Sequence, residues 1–489
     1  MLKVAVLADI GQPVYHVGDE AMGHAVAEEL RGRGIDVLML SRNPSQTREL
    51  YGTDAALTLQ FPWPPLDRER YLEEISRALA GDKDALPSGD QVWDFFRVIE
   101  ACDAVVIAGG GNMNSGYGWL LYERAALGLV AAHYGKPLVV SGQTFGPALT
   151  AQDSQVLAAL LESAQLVGAR EDTSHRLAHE LGVPAGKLTA GLDDAAFFAV
   201  AEPASGTSYI AATFSPGTGT LPGVEYVERI AAVLDELVEV SGLGVVLIPH
   251  MADTGSRDQD LAVHRQIAAA MRTDNVELAE LLPASEAAAL TAGAALVVSS
   301  RYHPAVFAAG AGVPAVSLST DHYSDARLSG ALRNWGLEQF NLPMASLLDG
   351  GFRAAVLAAW EQRAGIAAHL RDLGGQRRAD SQNWWDGVVL ALQGERPPAP
   401  AGLSPAASYP AEGSWQVAAG AARRVGNPLG TQASVAELER QREHGLHQAA
   451  VVERDQARAE LERLLGSRAF RAAATAWSIT GKFGMGKKA

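Results

Sequence analysis

The pair of residues in this chain best suited to chemistry is an arginine and a histidine two positions apart, at the end of an apolar run. They lie in Val297–Val298–Ser299–Ser300–Arg301–Tyr302–His303–Pro304. The run reads as a buried strand, and if it continued, Arg301 and His303 would point to the same side. A guanidinium there suits phosphate or carboxylate, which it can bind through two parallel hydrogen bonds. An imidazole titrates near neutral pH, as a proton donor must. The bland alternative is a structural histidine. A second arginine, Arg170, ends another apolar run in Gly168–Ala169–Arg170–Glu171–Asp172–Thr173–Ser174. It too could take an anion, or it could pair with the neighbouring Glu171.

Three further clusters have the composition of cleft-forming turns. Gly18 and Asp19, in Val17–Gly18–Asp19–Glu20–Ala21, read as a turn from strand to helix. Asp19 either caps that helix, or the backbone N–H groups around it help form a cleft floor. Gly109, Gly110 and Gly111, followed by Asn112, close a buried strand and allow close backbone approach to a ligand. This is neither a dinucleotide fingerprint nor a phosphate-binding Walker loop, because the required third glycine and the Gly-Lys-Ser/Thr ending are missing. Gln143 and Thr144, in Ser141–Gly142–Gln143–Thr144–Phe145–Gly146–Pro147, would project hydrogen-bonding groups into a cleft or simply form a turn.

Positioning these groups requires a particular run of elements. Lys3–Ala8, Ile35–Leu40, Ala104–Ala108, Leu138–Ser141 and Leu166–Ala169 read as short buried strands. Helical stretches such as Asp19–Arg31 and Ala151–Glu162 separate them, which argues for a parallel sheet covered on both faces. The pattern breaks at Pro203–Gly206 and restarts with Tyr209–Phe214, Val245–Pro249, Leu296–Ser299 and Ala315–Leu318, with helices at Val224–Val240 and Ser285–Ala292 between them. The fold class expected is α/β, with two Rossmann-like domains, residues 1–202 and 203–395, facing a cleft. Ligands in such sheets sit at the carboxyl ends of the strands, where these motifs fall.

Beyond the second half, residues 396–433 are rich in Pro, Ala, Gly and Ser and read as a flexible linker. Residues 434–489 read as an amphipathic helix and a basic tail, with Ser434–Val435–Ala436–Glu437 as a capping box. Val435, Leu438, Ala449 and Val452 suggest a heptad seam that Arg442, Gln456 and Arg463 interrupt. From Ser467 onward the charged residues are all basic: Arg468, Arg471, Lys482, Lys487 and Lys488. Aromatic and apolar residues accompany them, which suits an anionic membrane surface; oligomerisation is the competing role for the tail.

The 489 residues carry a net charge of −16, which argues against nucleic acid as a partner. A single cysteine, Cys102, excludes a disulfide framework and a thiolate zinc cluster. The Met1–Gly11 segment reads as a strand and turn rather than a signal peptide, so a cytoplasmic location is expected, peripheral at the membrane if the tail binds there.

Taken in order, Gly18–Asp19–Glu20–Ala21, Gly109–Gly110–Gly111, Gln143–Thr144–Phe145–Gly146–Pro147, Arg170 with Glu171 and Ser174, Ser300–Arg301–Tyr302–His303 and Gly312–Val313–Pro314 resemble the polysaccharide pyruvyl transferases. The resemblance covers about residues 1–337. It implies a fold like that of the GT-B glycosyltransferases, phosphoenolpyruvate as donor and co-substrate, and a sugar diol, free or lipid-linked, as acceptor. It implies Arg170 and Arg301 as donor-binding residues and His303 as the essential histidine, with no metal or resident cofactor. Two departures stand out. His16 replaces a frequent Asn, and a frequent Lys after the Ala315–Leu318 strand is absent, leaving Arg327 as the candidate cation. The alternatives are a GT-B nucleotide-sugar glycosyltransferase and a non-catalytic assembly protein of polysaccharide synthesis.

Overall fold

The computed structural model describes residues 2–198, 208–253, 259–398, 401–411 and 413–472. Its first sheet has eight strands. Seven run side by side in the order Asp54–Leu57, Asp36–Ser41, Lys3–Leu7, Ala104–Ile107, Leu138–Phe145, Leu166–Ala169 and Leu188–Ala190, all parallel. Gly110–Met113 pairs with the far end of Leu138–Phe145. The second sheet has six parallel strands: Val276–Leu278, Val245–Leu247, Ile210–Thr213, Leu296–Ser299, Ala315–Ser319 and Asn341–Pro343. In both sheets the first strand in sequence lies centrally, with its immediate successors on one side and later strands on the other. Each sheet therefore has a point where the winding reverses and the connections diverge, leaving a crevice at the strand ends.

The two halves are joined tightly. Val14–His16 pairs antiparallel with Met251–Asp253, and Val17 N–H donates to the His250 carbonyl at 3.0 Å. The helix Val17–Gly32 places Val17, Ala21, Met22 and Ala25 in the apolar core of the second half. The helix Arg363–Leu392 returns to the first half, where Trp385 is buried with Val4, Val6 and Leu166. The chain beyond residue 343 is thus shared between the halves instead of belonging wholly to the second.

The expected flexible linker and late helix start are corrected. A single helix, Trp415–Gly466, begins 19 residues before Ser434, and Ser434–Glu437 lies inside it instead of capping it. Tertiary contacts override poor local propensity here, since the helix contains Gly420, Gly426, Pro428 and Gly430. Trp415 and Ala419 are buried, while Arg423 and Asn427 bind the buried Asp325 at 2.9 and 2.7 Å. Arg442 then pairs with Glu69 at 2.8 Å, so the helix straps the second half to the first. Just before it, the Leu403 N–H bonds the Ala190 carbonyl and the Tyr409 N–H bonds the Gly336 carbonyl. Most of the basic tail lies outside the described residues, including Trp477, Ile479 and Phe483. Among the described residues, no helix is long and apolar enough to cross a membrane.

The returning helix gives a stability test. Trp385→Ala removes the largest fully buried side chain from the seam between that helix and the first sheet. It should cost about 3–5 kcal/mol in denaturant unfolding.

Candidate functional site

Three helices aim their first turns at one cavity of about 240 Å3 between the halves. Helix Val17–Gly32 contributes Gly18 and Asp19, with His16 at its N-cap. Helix Tyr302–Ala311 contributes Tyr302 and His303, with Arg301 at its N-cap. Helix His322–Arg333 contributes Tyr323, Ser324 and Arg327, with Asp321 as its N-cap. Helix N-termini carry unpaired N–H groups and positive partial charge, so their convergence favours an anion. Ser215 and Ser300 also line the cavity, at the winding-reversal point of the second sheet, where Ser215 N–H bonds Ser300 Oγ at 2.9 Å.

Arg301 and His303 meet in this cavity by a different route from the one expected. Their strand ends at Ser299, and the Tyr302–Ala311 helix begins at once. Ser299 Oγ both accepts from Arg301 N–H and donates to the Arg301 carbonyl, each at 2.9 Å, which turns the chain. Pro304 then sits in the first helical turn, where a missing N–H costs nothing. Arg301 is fixed by Asp260, its Nε lying 3.1 Å from Oδ1. The same carboxylate accepts from the N–H groups of His250 and Met251, both at 3.0 Å.

The imidazole of His303 packs so closely on the first turn of the Val17–Gly32 helix that a methyl group at Gly18 would overlap the ring. Its Nε2 lies 3.9 Å from Asp193 and has no hydrogen-bond partner. Burial pushes its pKa down to about 4, against the pull of Asp193, so the ring is neutral in the free protein. His16 behaves in the opposite way. Burial opposes its charge, but the Asp19 carboxylate at 3.2 Å raises it above the ordinary histidine value. Asp19 is therefore an ion-pair partner of His16 rather than a helix cap.

Arg170 does not line the cavity. It is 1 % exposed and lies beneath the Tyr302 ring, with its guanidinium carbon 4.3 Å from the ring centre. Asp193 holds it at 2.6 Å, Thr144 Oγ1 accepts from its Nε at 2.9 Å, and Glu171 lies 3.7 Å away. Its expected contact with the donor is therefore corrected to an ion pair below the site. Gln143 and Thr144 are also buried instead of projecting into the cleft. Gln143 bonds the Ala108 carbonyl, and Thr144 links Arg170 to Glu171 at 3.1 Å.

Gly109, Gly110 and Asn112 likewise lie outside the cavity lining. Gly109 N–H bonds Asp194 at 2.7 Å, and Asn112 reaches Asp9 at 3.4 Å. At Gly111 a Cβ would come 2.5 Å from Tyr323 Oη, 3.0 Å from Arg170 and 3.2 Å from Arg327. Glycine is what allows two guanidinium groups and a phenol to gather there, and Tyr323 donates to the Gly111 carbonyl.

Arg327 is the most available cation. Its guanidinium lies 3.9 Å from the Tyr323 ring centre and 5.4 Å from that of Tyr302. It has no carboxylate partner among the described residues, and its buried Nε lacks a hydrogen bond.

The sequence pattern that defines the polysaccharide pyruvyl transferases matches residues 16–322. The chain belongs to the polysaccharide pyruvyl transferase family. No curated protein matches it. Among solved structures, a putative UDP-N-acetylglucosamine 2-epimerase from Listeria monocytogenes is similar, with a TM-score of 0.53 and 14% identity over 81% of this chain and 98% of that one. An Anabaena protein, Alr3699/HepE, solved in complex with UDP, is similar with a TM-score of 0.52 and 16% identity, covering 80% of this chain and 100% of that one. At these identities the likeness is one of fold, and the fold is GT-B-like.

Several residues of this pyruvyl transferase family site were not singled out from sequence. Asp193 and Asp194 follow a short edge strand, and their only signal was a pair of acids entering an apolar stretch. Burial pushes Asp194 up to about 7 while it accepts from Ser141 and Gly109. His250 follows an apolar run as His303 does. It is 4 % exposed, lines the cavity with both ring nitrogens unpartnered, and is held neutral by burial and by His303 and Arg301. Gly18→Ala should displace the His303 ring at a cost of about 1–3 kcal/mol in stability. A shifted His303 imidazole resonance in a chain that still unfolds cooperatively, and turnover reduced by about 100-fold or more if His303 transfers a proton, is the expected outcome.

Proposed function

We propose that the chain transfers pyruvate from phosphoenolpyruvate to a sugar diol as a cyclic ketal, during synthesis of a cell-surface polysaccharide. The observation that carries this reading is the cavity itself: three helix N-termini with Arg301 and Arg327, and two neutral histidines, His303 and His250. Phosphoenolpyruvate brings both a phosphate and a carboxylate, and a site with two separated guanidinium groups matches that pair of anions. Arg170 acts from below, holding Asp193 and the Tyr302 ring and adding positive potential without touching the donor.

The chemistry begins with a proton delivered to the donor's methylene carbon, which becomes the methyl group. The adjacent carbon gains oxocarbenium character, and one sugar hydroxyl attacks it and loses its proton. Breaking the bond from that carbon to the phosphate oxygen releases phosphate. A second hydroxyl then closes the ketal ring, and its proton leaves with phosphate or solvent. His303 is the proposed acid. It is neutral in the free protein, and the negative charge of the bound donor favours its protonated form. Asp19, paired with His16, lines the same cavity, and its carboxylate would steady the developing cation. The lipid-linked form of the acceptor and a peripheral membrane location remain part of this proposal.

Phosphoenolpyruvate should raise the melting temperature of the chain, because it binds the folded state alone. Stabilisation by UDP with none by phosphoenolpyruvate would favour a nucleotide-sugar glycosyltransferase instead. Arg327→Lys should weaken donor binding about 10- to 100-fold in calorimetry, since lysine keeps the charge but loses the two-pronged contact. Donor binding should also take up protons. The free His303 pKa is about 4 and the bound value is higher, so affinity should fall as pH rises between the two. His303→Gln should reduce that uptake, read from binding heats in buffers of different ionisation enthalpy.

A further inference from the structure

We infer that the chain carries a separate subsite for a pyranose ring of the acceptor, on an aromatic track that leads out of the cavity. The inference rests on the proposed function for the word acceptor, but the subsite is argued from its own geometry. Tyr323 stands at the cavity beside Arg327, at 3.9 Å. Tyr117 lines the cavity too, and its ring centre lies 6.0 Å from that of Tyr323. Trp119 follows at 5.6 Å from Tyr117, and Trp63 stacks on Trp119 at 4.1 Å with an interplanar angle of 29°. Four aromatic rings thus form an unbroken path from the arginine to the surface, where Trp63 is 66% exposed.

This path forms the floor of a groove of about 590 Å3 that shares Tyr117 and Tyr323 with the reaction cavity. The opposite wall is the strapping helix, through Ser434, Glu437 and Leu438. That wall lies outside the residues matched to the family pattern, so one side of the groove is built by the extension beyond it.

The occupant is identified by the combination of surfaces. The C–H face of a pyranose is apolar and flat, and it stacks on an indole while its hydroxyls point outward. A water-exposed tryptophan pair with a polar margin matches that shape. The groove has a polar margin of its own in Asn114, His322, Ser434 and Glu437. A prenyl chain would have no use for those polar groups. Continuity with the reaction cavity places the stacked ring along the glycan from the sugar whose hydroxyls react. The strap then selects for acceptors longer than a single sugar.

The test uses the full chain and saturation-transfer NMR. The probes are methyl glucoside, methyl galactoside, methyl mannoside and methyl N-acetylglucosaminide, with geranylgeranyl phosphate as the lipid arm. Transfer to the ring C–H protons of at least one pyranoside is expected. It should fall about fivefold in Trp63→Ala and persist in Trp63→Phe, which keeps an aromatic face. Trp63 is mostly exposed, so its loss leaves the fold intact. Pyranoside signals that are absent, or that do not depend on Trp63, overturn the subsite. So does a Trp63-dependent signal from the prenyl phosphate alone. Stabilisation by phosphoenolpyruvate is recorded on the same samples. Its loss with the sugar signal intact refutes the donor reading and leaves the subsite standing.

Discussion

A guanidinium buried where two halves of a protein meet must be neutralised by groups drawn from around it, and here that requirement organises the site. Burial works against the charge of Arg170, while the Asp193 and Glu171 carboxylates and the face of the Tyr302 ring favour it. Each of those partners has a second task. Asp193 faces His303, Tyr302 lines the cavity, and Glu171 accepts from Thr144. The backbone carbonyl of Arg170 accepts from Asn334 of the second half at 2.9 Å. Removing one member of such a buried set leaves the others uncompensated, which is far more costly than losing a surface pair. Arg170 thus meets the cavity only through the carboxylate and ring that it holds.

Above this layer the cavity gathers positive potential around two neutral histidines. Three helix N-termini, Arg301 and Arg327 supply positive potential, and the nearby histidines His303 and His250 are kept uncharged. Burial first, and the neighbouring cations after it, hold His303 and His250 in the neutral form, while His16 keeps its charge against Asp19. A polyanionic ligand reverses that balance. The glycines at positions 18 and 111 make the crowding possible, because side chains there would strike His303 and the Tyr323–Arg170–Arg327 group.

Much of this was legible in the sequence. The strands Leu166–Ala169 and Leu296–Ser299 fall where the apolar runs place them, because buried parallel strands need continuous Val, Ile and Leu. The short edge strands Leu188–Ala190, Val276–Leu278 and Asn341–Pro343 carry too few residues to give a pattern. Arg301, His303, Gly18 and Asp19 line the cavity as their motif positions suggest. Arg170, Gln143 and Thr144 could not be told from cavity residues, since a strand end gives the position of a side chain but not its depth. Arg327 was suggested only by a missing lysine. The long helix from Trp415 was hidden because its glycines and proline argue locally against it, while the contacts of Arg423, Asn427 and Arg442 that hold it are distant in sequence.

The central claim is that this cavity protonates phosphoenolpyruvate and passes its three-carbon unit to sugar hydroxyls. The most direct measurement is mass spectrometry of the products formed from phosphoenolpyruvate and a mixture of sugar diols in deuterated water. The account predicts a sugar ketal whose methyl group carries a solvent deuteron, formed with release of phosphate and lost in His303→Gln. Phosphoenolpyruvate left untouched, with a sugar transferred from UDP-sugar in its place, would contradict it.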